Sequence, residues 1–124
     1  MGNLSTYGAN AVLDGTAMPA TLYVQMHTGN PGAGGTSDVS SETTRKSFTR
    51  PSASAGSTSN AFLIEWLNAQ ALGETITHAT IWDAASAGNC WWVIANTDPD
   101  PVVSNGNTVR IDTGSLDISF PIWV

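Results

Sequence analysis

The chain has 124 residues, a hydrophobic share of 41% and a charged share of only 11%, against roughly 25% in an average soluble protein. Four Lys and Arg face ten Asp and Glu, a formal net charge of −6, which excludes the basic face that a nucleic-acid binder needs. The length suits one domain, no apolar run approaches the roughly 20 residues of a membrane span, and the single cysteine, Cys90, excludes an internal disulfide and a multi-cysteine metal cage.

In chain order, the spacing of Leu4, Tyr7, Ala11 and Val12 or Leu13 predicts one short helix over Asn3 to Gly15, within an N-terminal helical segment of residues 1–17. Asn3 or Ser5 is placed to cap its start and Gly15 to end it. The stretch has no basic n-region followed by an apolar h-region, so it is not read as a secretory signal, and folding in a cytoplasm is expected.

From Thr21 the period changes to two. Leu22, Val24 and Met26 alternate with Tyr23, Gln25 and His27, which predicts a strand. Thr28 to Ser41 is rich in glycine and reads as a loop, followed by a short strand over Thr44 to Arg50 around Phe48. Pro51 to Asn60 contains no large apolar side chain. Ala61 to Leu67 alternates again, with Phe62, Ile64 and Trp66 on one face and Leu63 and Glu65 on the other.

Thr75 to Asp83 is the next predicted strand, Ala84 to Asn89 a turn of small residues, and Cys90 to Ala95 a strand apolar enough to be buried on both faces. Asp98-Pro99-Asp100-Pro101 forces an extended turn. Asn105-Gly106 signals a tight turn before Val109 and Ile111. Leu116, Ile118 and Phe120 then alternate with Asp117 and Ser119. The sum is an all-β chain: an antiparallel β-sandwich of about seven strands with one short N-terminal helix, in a single domain spanning residues 1–124.

The residues able to do chemistry do not form a recognisable constellation. His27 and His78 are the natural bases, but neither has ligand or triad spacing, and strand histidines satisfied by hydrogen bonds are expected. Cys90 has no basic neighbour in sequence and reads as a small core residue. Asp98 and Asp100 are separated by a proline and lack a calcium-loop pattern, so no metal site is expected. No catalytic residue and no cofactor are assigned.

Three segments read instead as contacts. Arg45, Lys46 and Arg50 gather three of the four basic residues, and are expected either to blunt an edge strand or to dock on an acidic partner surface. Trp91 and Trp92 are adjacent, so in a strand they point to opposite faces; one enters the core, and the other lies under the helix, under a loop or at an interface, with a carbohydrate platform as the functional alternative. At the C-terminus, Pro121 interrupts strand pairing and the apolar Ile122, Trp123 and Val124 follow. Residues 121–124 are therefore expected to form an association tail that contacts a second copy, most readily in a trimer, or a partner; the alternative is folding back on the chain's own sandwich.

The order of several short motifs resembles small phage virion proteins commonly labelled tail-fibre or minor tail proteins, some of whose relatives decorate heads as cement proteins. The motifs are Asn3-Leu4-Ser5, Thr21 to Thr28, Gly34-Gly35-Thr36 leading to Arg45, Ser54 to Asn60, Thr75 to Ala84, Gly88 to Trp92, Asn105 to Ile111 and Gly114 to Ile118. They cover nearly the whole chain except Pro121 to Val124. The resemblance implies a structural role in the virion, no enzymatic activity and no catalytic residues to transfer. Read from Met1, the sequence offers no long trimerising shaft. The leading expectation is therefore a capsid decoration protein that binds the major capsid lattice, or another virion protein, and stabilises the head. The alternative is a tail-fibre or tail-tip component that adheres to host surface carbohydrate. A small hydrolase is set aside because no nucleophile–base pair is found. Partners from nucleic acid or membrane are not expected.

Overall fold

The computed structural model describes residues 3–13, 18–51, 57–67, 74–96, 102–105, 108–116 and 118–119. Its elements run β1 (Asn3–Leu4), α1 (Thr6–Leu13), β2 (Thr21–His27), β3 (Lys46–Thr49), β4 (Ser57–Thr58), β5 (Ile64–Trp66), β6 (His78–Trp82), β7 (Cys90–Ala95), β8 (Val102–Asn105), β9 (Thr108–Ile111) and β10 (Ile118–Ser119). All pairings are antiparallel. The all-β sandwich with one short helix is as the alternation predicts. Among the described residues, seven of the ten strands have three or more residues.

The larger layer has the order β1-β7-β6-β2-β3. Period two sends Leu22, Val24 and Met26 to one face of β2, and all three are completely buried. Register continues that face sideways: Leu22 opposes Phe48, Val24 opposes Ile81, Met26 opposes Ala79, and Ile81 and Ala79 oppose Trp92 and Ile94. The second layer is formed by a three-stranded sheet, β5-β9-β8, and a short β4-β10 ladder. It contributes Ile64, Trp66, Val109, Ile111, Leu116 and Ile118 to the same core.

Three local outcomes differ from the sequence reading. Asn3 and Leu4 do not start the helix; they pair with Val93 and Trp92 and cover the edge of β7. The helix starts at Thr6 because Ser5 caps it, its Oγ accepting the Gly8 N–H at 3.0 Å, three residues on. Second, Val102 to Asn105 form a strand, paired as a hairpin with β9 so that Asn105 opposes Thr108. Residues 106 and 107 of the expected tight turn lie outside the described residues; two valines between Pro101 and Ser104 are too few to show a strand period. Third, Ser57 and Thr58, in a polar stretch, pair with Ser119 and Ile118.

A bulge marks the β6–β7 pair: Ile81 opposes Trp92 and Trp82 opposes Cys90, so Trp91 has no opposite residue. Ile81 is completely buried in the central strand of the larger layer. Ile81→Ala is expected to lower stability by about 2–5 kcal/mol through lost burial and the cavity left behind, as read from urea unfolding midpoints at unchanged slope.

Candidate interaction surface

Strands β2, β6 and β7 are covered on both faces, and their second face is polar and aromatic. It carries the buried residues Gln25, His27, Thr80, Trp82, Cys90 and Trp91. One hydroxyl joins three of them. Trp82 Nε1–H donates to Thr80 Oγ1 at 2.7 Å, and Thr80 Oγ1 lies 2.8 Å from His27 Nε2. His27 Nδ1 lies 2.8 Å from the Ser37 carbonyl oxygen, which only accepts. Nδ1 therefore carries a proton; burial favours the neutral ring, in which Nε2 accepts from Thr80. Burial is the main cause that lowers the His27 pKa, helped by the neighbouring His78 and opposed by hydrogen bonding to the 37–38 backbone.

The loop after β2 closes over this network. Gly35 has a φ of +74°, and a Cβ there would lie 2.5 Å from Cys90 Sγ and 3.3 Å from Thr80 Cγ2. Glycine is thus required both by the backbone and by the approach. The far end of the loop is fixed by Glu74, whose carboxylate accepts from Ser40 Oγ at 2.6 Å and Ser41 Oγ at 2.7 Å. Burial pushes the Cys90 thiol up to about 11, which is the opposite of an activated nucleophile. His27 and His78 face each other across β2 and β6, but His27 is consumed by Ser37 and Thr80. Among the described residues, no group of three or more His, Cys, Asp or Glu is placed to hold a metal, and no helix is long and apolar enough to cross a membrane.

Two of the three clustered basic residues are engaged within the chain. Arg45 precedes β3 and Arg50 follows it. The Arg45 guanidinium lies 3.9 Å from the centre of the Trp82 ring and donates Nη1 to the carbonyls of Ala84 at 2.9 Å and Ala87 at 2.7 Å. Arg50 donates Nε to Pro19 O at 3.0 Å and Nη2 to Met18 O at 2.7 Å. Both arginines hold loops of their own chain. Lys46 lies on β3, the edge strand, opposite Val24.

The tryptophans are likewise turned inward. Trp92 joins the main core. Trp91 points to the other face, packs edge-to-face on Tyr7 of α1 at 5.3 Å and donates Nε1 to Asp83 Oδ2 at 3.2 Å. One tryptophan in the core and one under the helix is one of the placements expected; neither stands on the surface as an interface or sugar platform. Burial works to raise the Asp83 pKa, but hydrogen bonds from Asn89 and Trp91 outweigh it and hold the carboxyl below its ordinary value. Ile122, Trp123, Val124, Asp98 and Asp100 lie outside the described residues.

Among the described residues, the most exposed large apolar side chains flank β5. Ile64 and Trp66 are buried, and Trp66 donates Nε1 to Thr44 O at 2.9 Å. Phe62, Leu63 and Leu67 are 75%, 47% and 67% exposed. The strand starts only at Ile64, so Phe62 leaves the alternation that would have put it in the core. Buried Asn60 fixes this turn: its Nδ2 donates to Phe62 O at 2.8 Å and Asp112 O at 3.0 Å, and its Oδ1 accepts from Leu116 N at 3.0 Å. Glu65 opposes Arg110, whose Nε lies 3.0 Å from Asp112 Oδ1. Sequence reading missed this surface, although one signal was there. Residues 62–67 carry large apolar side chains on both faces, with Glu65 among them, and a strand of a small second layer has only one core to face.

A family model described as "Podophage GP4 fiber I protein gp80" matches residues 3–119 of the chain. The segment 120–124, including the apolar end, falls outside that match. No curated protein matches the chain.

The neutral His27 gives a pH dependence with a definite sign. Its pKa is lowered in the folded state from an ordinary value of 6.5. The stability this contributes is present above about 6.5 and is lost as the pH falls below it towards the folded value. Wild-type chain is therefore expected to unfold at lower denaturant at pH 5.5 than at 7.5, and His27→Gln, which keeps one donor and one acceptor, to flatten that difference. Equal wild-type midpoints at the two pH values would contradict the lowered pKa and the neutral state of the buried ring.

Proposed function

The chain belongs to the podophage GP4 fiber I protein gp80 family, and on that premise we propose that it is a building part of a phage tail fibre rather than an enzyme of the particle. That it is a phage structural protein follows from the family itself. The observation that carries the finer reading is the extent of the match to a fibre family, residues 3–119 of 124. The fold supports it. His27 and Cys90 are enclosed and chemically quiet, while the exposed apolar side chains of β5 suit a protein that packs against neighbours.

Adhesion to host sugar is the less supported version of the fibre role. Sugar rings stack on exposed indoles, and among the described residues Trp66, Trp82, Trp91 and Trp92 are each no more than 5% exposed. The partners on this reading are other virion proteins and further copies of the chain. Head decoration, which binds the major capsid lattice, is the competing assignment, and location separates the two.

Purified particles carrying an epitope on the chain are expected to bind a gold-labelled antibody at the tail, in few copies. Label spread over the head in hundreds of copies would overturn the fibre assignment in favour of decoration. His27→Gln and His78→Gln particles are expected to retain any hydrolytic activity that wild-type particles show; loss of such an activity in a folded variant would overturn the non-enzymatic part.

A further inference from the structure

The loop of residues 28–39 is built as one unit. Ser37 N–H donates to Pro31 O and Gly35 N–H to Gly32 O, each at 3.1 Å, and Asn30 Oδ1 accepts the Gly32 N–H at 2.9 Å. Pro31 is buried. The ends meet where Thr28 N–H donates to Asp38 O at 2.9 Å, the closed neck of a compact surface loop. Asp38 has a φ of +52°, a left-handed backbone that is uncommon outside glycine, so a change of conformation at the neck relieves strain rather than adding it. Beyond the neck, Ala33 O accepts from Thr6 N–H at the start of α1 at 3.1 Å, and Ser37 O accepts from His27 Nδ1–H at 2.8 Å.

Of these two ties, only the imidazole can change its charge. His27 is completely buried. Its other nitrogen faces Thr80 Oγ1, which already takes the Trp82 N–H. A protonated ring donates from both nitrogens, so the Thr80 hydroxyl would have to turn its own proton elsewhere within a closed face. The surrounding groups do not offset the charge. His78, opposite on β6, adds like charge, and the Asp38 carboxylate at the neck attracts the ring more weakly than burial opposes its charging. β7 brings the uncharged Cys90 thiol, and β2 itself places Tyr23 and Gln25 on the same face. Farther out, Arg45 stands on the Trp82 ring, and Glu74 is held by Ser40 and Ser41. β2 lies between β3 and β6, and β6 between β2 and β7, so neither strand can yield to let water reach the ring. The loop can.

We propose that residues 28–39 form a proton-released flap: protonation of His27 frees Ser37, and the loop swings on its neck away from Thr80 and Cys90 while both sheets stay folded. The closed flap favours the neutral ring. Closure is therefore at full strength above about pH 6.5 and weakens as the pH falls below it, towards the value at which the enclosed ring titrates. This is a local response, separate from the global loss of stability expected in acid. It holds wherever in the particle the chain sits, so it and the fibre assignment fail separately.

Native-state hydrogen exchange of the full chain tests it, at pH 7.5 and 5.5 and in low, subdenaturing urea, with rates divided by those of an unstructured chain. The Thr6 N–H loses Ala33 O when the flap opens. It is expected to exchange through an opening that urea does not change, and to lose protection by up to about tenfold between the two pH values, the factor for a group that titrates near 6.5 once released. The amides of Val24 and Ile81, in the central strands, are expected to exchange only through urea-sensitive global unfolding. His27→Gln cannot be charged and is expected to abolish the acid effect at Thr6, whereas His78→Gln is expected to keep it. In the wild type, the loss of protection is expected to begin near pH 6.5 and to level off where the His27 ring resonance titrates; should His27→Gln not fold, this profile decides alone. Thr6 exchange that shares the urea dependence of Val24 and Ile81, an acid effect that survives in folded His27→Gln, or a loss of protection unrelated to the His27 titration would each overturn the proposal.

Discussion

The Thr80 hydroxyl is the point on which the second face of the larger sheet depends. It gives its proton to His27 and accepts one from Trp82, and it is completely buried. Without it, an imidazole nitrogen and an indole N–H would be enclosed with no partner, each at a cost of about 1–3 kcal/mol. The arrangement also sets everything around it. Neutral His27 directs its remaining N–H at Ser37, which brings the 28–40 loop down; the loop in turn needs Gly35 where it crosses Cys90 and Thr80. Trp82, held from one side by Thr80, offers its ring to Arg45 on the other, and Arg45 closes the 84–87 turn. The apolar face of the same sheet follows a simpler rule: burial of alternating side chains against a second layer.

The difference between the two faces explains what was legible in the sequence. Leu22, Val24 and Met26 announce their strand and its inward side because period two is local information. Trp91 and Trp92 announce by adjacency alone that they part to opposite faces, and Ser5 is readable as a cap. The polar face has no period. Arg45 and Arg50 look like a basic spot in sequence because their partners, the carbonyls of Ala84, Ala87, Met18 and Pro19, lie 31 to 42 residues away in the chain. The pairing of Asn3 and Leu4 with β7 is hidden for the same reason: two residues carry no pattern, and the edge they cover lies nearly ninety positions on. Phe62 breaks the alternation because β5 starts only at Ile64, after the turn that Asn60 ties down.

The scarcity of charge gains a meaning from these contacts. Of the four basic residues, Arg45, Arg50 and Arg110 are each bound within the chain. Ordinary surface charges keep copies of a protein apart. Here two of the four cations brace loops and a third is paired with Asp112.

The packing of Gly35 against Cys90 has a consequence for how the molecule can be observed. The chain has a single thiol, it is buried, and the segment lying over it is a loop rather than a strand. A water-soluble alkylating reagent reaches that sulfur only when this loop lifts away or the domain unfolds. The rate of modification therefore counts opening events at one known place, with no reporter group added and no background from other cysteines. In an assembled particle the same rate, set beside that of the free chain, would measure how far neighbouring subunits restrain the loop's breathing.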